Sequence, residues 1–216
     1  MPPLKSAALA PHIHLAVCHD DLVVLDVLAD DYALLPDAAP LVRLGPEPGW
    51  VEAEASVIAE LASLGLFAPD AAPPRRPLPR LSGQILPASG ARPSAALMQA
   101  AFNSLLSTAV FARSPFPALV AKAAARRSAA TAPSDRRIAR ATAAFLSIHP
   151  WIPFEGDCLQ RGFRLHHHLH GCGLDARWVF GVRTWPLLAH CWVQVGDRVV
   201  GDTAERVATF SPILAV

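Results

Sequence analysis

The chain contains no uninterrupted apolar run of bilayer length, no hydrophobic stretch close to its start and only four cysteines in 216 residues. Its longest apolar segment, Ala95 to Phe111, is broken by Gln99, Asn103, Ser104, Ser107 and Thr108, whereas a spanning helix needs about 20 mainly apolar residues. The opening Met1-Pro2-Pro3-Leu4-Lys5 has no signal-peptide core. Cys18, Cys158, Cys172 and Cys191 are widely separated and have no paired spacing, which argues against a disulfide framework and suits a reducing compartment. These absences predict a cytoplasmic protein with free thiols and no membrane partner. A hydrophobic content of 52% is ample for one large core or two small ones.

A net charge of +1 conceals an asymmetry. Residues 1–72 hold eleven Asp and Glu against two Lys and Arg, a net of −9, and residues 73–216 hold seven against seventeen, a net of +10. Opposite signs in the two halves predict two domains. The boundary falls at 73–93, where Pro73, Pro74, Pro77, Pro79, Pro87 and Pro93 are interleaved with Arg75, Arg76 and Arg80; this composition predicts a stiff extended linker with no regular element. The arginines of the basic half are scattered and no nucleic-acid-binding signature accompanies them, so no nucleic-acid partner is expected.

Apolar residues alternate over His12 to Cys18, Leu22 to Leu28 and Tyr32 to Leu35 around acidic turns, which predicts a three-stranded meander. Val51, Ala55, Ile58, Leu61 and Ala62 then recur at helical spacing before Gly65. A small sheet followed by helices is a winged-helix-like pattern. Beyond the linker, Pro93-Ser94 opens an amphipathic helix through Phe111, with Leu97, Ala101, Leu105, Phe102, Leu106 and Val110 expected to face inward. Further helices are predicted over Pro117 to Ala130 and Ser134 to His149. Glycine-bounded turns at Gly171-Cys172-Gly173 and Gly181 precede or punctuate strands at Ala176 to Val182, Leu187 to Val195 and Arg198 to Asp202.

Three residues of this second half carry chemistry. Cys158 follows Phe154-Glu155-Gly156-Asp157 where a helical pattern begins, so its sulfur is expected at a helix N-terminus, where free N–H groups and the macrodipole favour a thiolate. His190 lies in a strand pattern and can take the thiol proton and return it to a leaving group, while Asp202 can orient the imidazole. His190 and Asp202 differ by an even number. In a continuous hairpin they share a face only if the loop is odd or bulged, so this reading forbids a two-residue Gly196-Asp197 turn.

His166, His167, His168 and His170 form a cluster, and His166 and His170 sit one helical turn apart. That spacing can bind zinc. No glutamate accompanies them as in the metalloprotease motif, so the expectation is no metal and no cofactor, with the histidines on a partly exposed helix end where positive charge is favoured.

At these residues the chain resembles the leader peptidases of lasso peptide biosynthesis, the B proteins, whose protease half is transglutaminase-like. The matching stretches are Cys158-Leu159-Gln160-Arg161-Gly162-Phe163-Arg164-Leu165, Ala189-His190-Cys191-Trp192-Val193-Gln194-Val195-Gly196 and Val199-Val200-Gly201-Asp202. The resemblance implies an α+β protein: a winged-helix-like domain over 1–72, the linker 73–93, and a papain- or transglutaminase-like domain over 94–216 with helices packed on an antiparallel sheet. It also implies a cysteine endopeptidase that removes the leader of a ribosomal precursor peptide, with Cys158 as nucleophile, His190 as base and Asp202 as orienter. A macrolactam-forming cyclase is the implied partner.

The first half resembles the precursor-recognition element related to pyrroloquinoline-quinone chaperone proteins, which binds a leader by strand addition. That likeness places the leader on Asp31, Tyr32 and Leu34. Two other classes stay open: an acyltransferase of transglutaminase or arylamine N-acetyltransferase type using the same three residues, and a non-catalytic peptide-binding module.

Overall fold

The computed structural model describes residues 3–68, 75–90, 93–126, 133–151 and 158–216. The expectations placed on Pro73, Pro74 and the Phe154-Glu155-Gly156-Asp157 approach lie outside the described residues. In chain order the elements are β1 (Lys5–Ala8), β2 (Ile13–Cys18), β3 (Asp21–Asp26), β4 (Asp31–Leu35), β5 (Val42–Leu44), β6 (Trp50–Ala53), α1 (Ala55–Ser63), β7 (Gly83–Ile85), α2 (Ser94–Ala112), α3 (Phe116–Ala124), α4 (Asp135–Ile148), α5 (Cys158–Gly171), β8 (Ala176–Arg183), β9 (Leu188–Val195), β10 (Arg198–Val200), α6 (Ala204–Val207) and β11 (Ser211–Ala215). The chain divides into two compact units. One comprises Met1–Leu78, Val182–Ala189 and Ser211–Leu214; the other comprises Pro79–Gly181, His190–Phe210 and Ala215–Val216.

In the first unit the alternating segments form the meander β2-β3-β4, with β4 at its edge. Cys18 pairs with Asp21 across a two-residue turn, and His19 there takes a φ of 58°. Because side chains alternate across a strand, Ile13 and Leu15 of β2 share a buried cluster with Leu22 and Val24 of β3. A second three-stranded sheet, β1-β6-β5, contributes Val42, Val51 and Ala53 to the same cluster. This sheet was not anticipated: Val51 reads at helical spacing with Ala55 and Ile58, but it belongs to β6, and α1 is the one α-helix among the described residues of 3–68. The Arg75 guanidinium ties the unit together by donating to the carbonyls of Leu9, Ala10 and Ile13 at 3.1, 2.6 and 2.7 Å.

The second unit is helical around strands β8, β9, β10 and β7, adjacent in that order in a mixed sheet. Trp178 and Val179 are neighbours in β8 and so point to opposite faces. Trp178 packs edge-on against Phe163 of α5, while Val179 joins Trp192, Val199, Val207, Ala215 and Phe210 in a cluster on the other face. Gly162 allows the helix to approach, since a Cβ there would lie 2.5 Å from Trp178 Nε1.

Three expectations are corrected here. The Pro-rich stretch does hold a regular element: β7 pairs in parallel with β10, Gly83 to Ile85 against Arg198 to Val200. No proline lies between Pro79 and Pro87, so that short segment keeps its backbone donors. Gly181 is not a turn. It lies inside β8, where a Cβ would meet the Trp192 ring at 2.7 Å and Phe210 Cβ at 3.0 Å, so the glycine makes room for close packing. Helix α2 is turned about its axis: it buries Ala100, Asn103, Ser104 and Ser107 and exposes Phe102, Leu105 and Leu106. The small polar face wins because it permits close contact with α5, where a Cβ on Gly171 would lie 2.6 Å from Asn103 Nδ2. The Ser107 hydroxyl meanwhile donates to backbone carbonyls of its own helix at 2.7 and 3.0 Å. By length and composition alone α2 is apolar enough to cross a membrane.

Replacing Gly181 by alanine is expected to destabilise the protein by about 1–3 kcal/mol, because the added methyl must displace an indole ring held in a packed cluster. A denaturant midpoint measured on Gly181→Ala checks this.

Candidate active site

Among the described residues helix α5 runs from Cys158 to Gly171, so the sulfur lies toward the N-terminal end of the helix, where N–H groups lack intrahelical partners. His190 is buried in β9, flanked on its own face by Trp192 and Phe210 at ring distances of 6.1 and 5.3 Å. Its Nε2 lies 2.8 Å from Asp202 Oδ2, which leaves Nδ1 for the sulfur. His190 and the Cys158 thiol shift each other's proton affinity, His190 upward and Cys158 downward. All three residues line one cleft of about 230 Å³ together with Arg161, Gly162, Cys191 and Arg206.

The strand register that brings Asp202 to His190 differs from the expectation. Arg198 pairs with Val195, Val199 with Gln194 and Val200 with Val193, so the hairpin does close through the two-residue Gly196-Asp197 turn. Parity would then put Asp202 on the face of Cys191. It escapes because β10 ends at Val200 and Gly201 adopts a φ of +74°, a left-handed conformation that glycine enters freely. The chain leaves the ladder there and the carboxylate swings back to the imidazole.

Several residues that sequence reasoning passed over hold this turn. Arg161, one helical turn beyond Cys158, donates through Nη2 to the Gly201 carbonyl at 2.8 Å. Leu165, a turn further, leaves no space for a side chain at Gly201, where a Cβ would lie 2.6 Å from its Cδ2. The other Asp202 oxygen, Oδ1, accepts from the Thr203 N–H at 2.8 Å. Gln84 of β7 accepts from the Ala204 N–H at 2.7 Å. One signal was readable in the sequence: a glycine immediately before the candidate carboxylate at a strand end.

The electrostatics separate the proton affinities of the three groups. Hydrogen bonds from Cys191 and then His190 bring the Cys158 thiol down to about 4 against the opposing effect of burial. The Asp202 hydrogen bond, then that to Cys158, raises His190 to about 9. Burial disfavours the Asp202 carboxylate, yet the hydrogen bonds from His190 and the Thr203 N–H, with the charges of His190 and Arg206, hold it below the ordinary carboxylate range. Between about pH 4 and 9 the site is therefore a thiolate beside an imidazolium backed by a carboxylate. A thiolate of this kind is a nucleophile and an imidazolium a proton donor, which is the equipment of acyl-transfer chemistry.

The histidine cluster is corrected. His166, His167 and His168 are buried, and burial, ahead of neighbouring cations and histidines, pushes His166 well below its usual value and His167 to about 4. These rings are neutral at pH 7, since they face the α5 packing interfaces instead of water. Asn103 Nδ2 approaches His168 Nδ1 at 3.4 Å, and Arg126 donates to His167 Nε2 at 2.7 Å. Among the described residues no group of three or more His, Cys, Asp or Glu is placed to hold a metal ion. In the other unit, Asp31 is exposed and Tyr32 and Leu34 are half-buried on the edge strand β4.

The chain belongs to the transglutaminase-like superfamily, whose family model matches residues 102–215. Over 63 residues it is 36% identical to the microcin J25-processing protein McjB of Escherichia coli, a stretch amounting to 29% of this chain and 30% of that protein. The match thus spans less than a third of the relative's length. No solved structure matches the chain.

The rate at which iodoacetamide alkylates Cys158 should rise through about pH 4 and stay high at neutral pH. In Gly201→Ala, which strains the turn bearing Asp202, the imidazolium is expected to lose its proton at a pH below 9, as followed by the His190 ring resonances.

Proposed function

We propose that the protein is a cysteine endopeptidase that removes the leader from a ribosomally made precursor peptide. The observation that carries this reading is that Cys158, His190 and Asp202 line one cleft, with His190 Nε2 and Asp202 Oδ2 2.8 Å apart. The superfamily match and the relative named as a processing protein support it. Cys158 attacks the scissile carbonyl as thiolate, and its own backbone N–H serves as a donor to the oxygen that gains charge. His190 gives its proton to the departing amine, which frees the core N-terminus and leaves a thioester. A water then attacks the thioester while His190 takes its proton, and Asp202 holds the ring in position through both steps.

Residues 1–72 serve in this reading as the leader-binding domain, 73–93 as the connection and 94–216 as the protease. The leader adds as a strand to β4, beside Asp31, Tyr32 and Leu34, since an edge strand offers unpaired N–H and C=O groups. The freed amine is the group that a macrolactam-forming cyclase consumes, which makes such an enzyme the partner, and the protein acts in the cytoplasm.

Mixing the protein with the precursor encoded beside its gene and weighing the products tests the reading. Cleavage at the leader–core junction, absent in Cys158→Ala, supports it. Transfer of the acyl group to an added amine in preference to water would instead indicate an acyltransferase, and tight binding without turnover in wild type would indicate a binding module. Cys158→Ala and His190→Ala should each lower kcat/KM by roughly three orders of magnitude or more, and Asp202→Asn by less. The pH profile of kcat/KM should be a bell. Its acid limb near pH 4 reflects protonation of the thiolate, and its alkaline limb near pH 9 reflects loss of the imidazolium proton; Asp202→Asn should move the alkaline limb downward. Asp31→Lys should weaken leader binding while sparing hydrolysis of a short leader-free peptide.

A further inference from the structure

Cys191 follows His190 in β9 and its side chain points to the opposite face of the strand, toward α5. Its Sγ lies 3.0 Å from the Cys158 carbonyl oxygen, and both cysteines line the same cleft. Gly162 sets this approach, since a Cβ in its place would lie 3.3 Å from Cys191 Sγ. In the proposed peptide chemistry Cys191 only helps to hold the Cys158 thiolate and takes no part in bond making or breaking. We propose that Cys158 and Cys191 are a reversible oxidation site: hydrogen peroxide or an organic hydroperoxide converts the pair to an intramolecular disulfide, and a thiol reductant restores it.

The chemistry balances with the groups present. The Cys158 thiolate attacks one peroxide oxygen, the O–O bond breaks, and the departing oxygen takes the His190 proton to leave as water, or as an alcohol from an organic hydroperoxide. The product is a sulfenic acid at Cys158. The Cys191 sulfur then attacks the Cys158 sulfur, the S–O bond breaks, and the hydroxide leaves with the Cys191 proton as water. Both sulfurs are oxidised and one peroxide is reduced. The contact of Cys191 Sγ with the Cys158 carbonyl and the shared cleft keep the two residues adjacent, as attack of one sulfur on the other requires. The two other cysteines are less suited. Cys18 is buried and directs its Sγ to the Val182 carbonyl, and burial pushes the Cys172 thiol up, so it stays protonated. Capture by Cys191 diverts the sulfenic acid from the sulfinic and sulfonic states, which thiols do not reverse.

The inference needs the thiolate only, not the peptide it cuts, and its test reads mass instead of turnover. The full-length protein is treated with hydrogen peroxide, alkylated, digested and mapped. The expected result is loss of two hydrogens from the intact mass, one linked peptide joining the Cys158 and Cys191 segments, and full reversal by dithiothreitol. Cys191→Ser should accumulate irreversible oxidation at Cys158 about tenfold faster than wild type. Equal rates of irreversible oxidation in the two proteins, or a disulfide made with Cys18 or Cys172, would overturn the proposal. The wild-type map decides it even where Cys191→Ser folds poorly, and Cys191→Ala provides a second variant.

Discussion

The bond between His190 and Asp202 is the interaction on which the candidate site depends, because the two residues come from strands whose pairing would hold them apart. The hairpin β9–β10 supplies rigidity through an uninterrupted ladder up to Val200. The turn at Gly201 then uses one left-handed residue to place a carboxylate where the ladder could not. The proton affinities follow from that placement: the imidazole is held charged by the carboxylate behind it, and the charged imidazole in turn helps to hold the sulfur as a thiolate. Removing the turn would leave a histidine packed against Trp192 and Phe210 in a setting that favours its neutral form.

Helix α5 is the second constraint. It carries Cys158 at its start and Arg161 and Leu165 on the side that meets the Gly201 turn, so sulfur and carboxylate are located by one rigid body. Its remaining faces bury an unusual set of polar groups. Arg164 is fully buried with its guanidinium 6.0 Å from the Phe145 ring centre, and its three nitrogens have no hydrogen-bond partner among the described residues. Next to it, His166, His167 and His168 are kept neutral by burial. Unpaired buried polar groups cost stability, and here they concentrate on the element that sets the site.

What the sequence conveys well is local. Alternation marks β2, β3, β4, β8 and β9 almost to the residue, and helical spacing marks α5 beyond Cys158. What it conveys poorly is how elements choose faces. In α2 the leucines and Phe102 suggest an inward stripe, yet the contact with α5 selects the small polar face, because close approach of two helices outweighs burial of a few large side chains. Asp202 escapes strand parity for a related reason: the strand does not continue past Val200, and a single glycine ends it. Val51 was assigned to a helix because a four-residue strand and one helical turn leave nearly the same apolar spacing.

The parallel strand β7 has a consequence for where the molecule can be divided. Gly83 to Ile85 complete the sheet beside β10, the Ser82 N–H donates to the Asp197 carbonyl at 2.8 Å, the Arg80 carbonyl accepts from Gln194, and Gln84 caps the segment that follows Asp202. A fragment beginning at Ser94 therefore lacks an edge of its own sheet and one clasp of its carboxylate, whereas a fragment beginning at Pro79 keeps both.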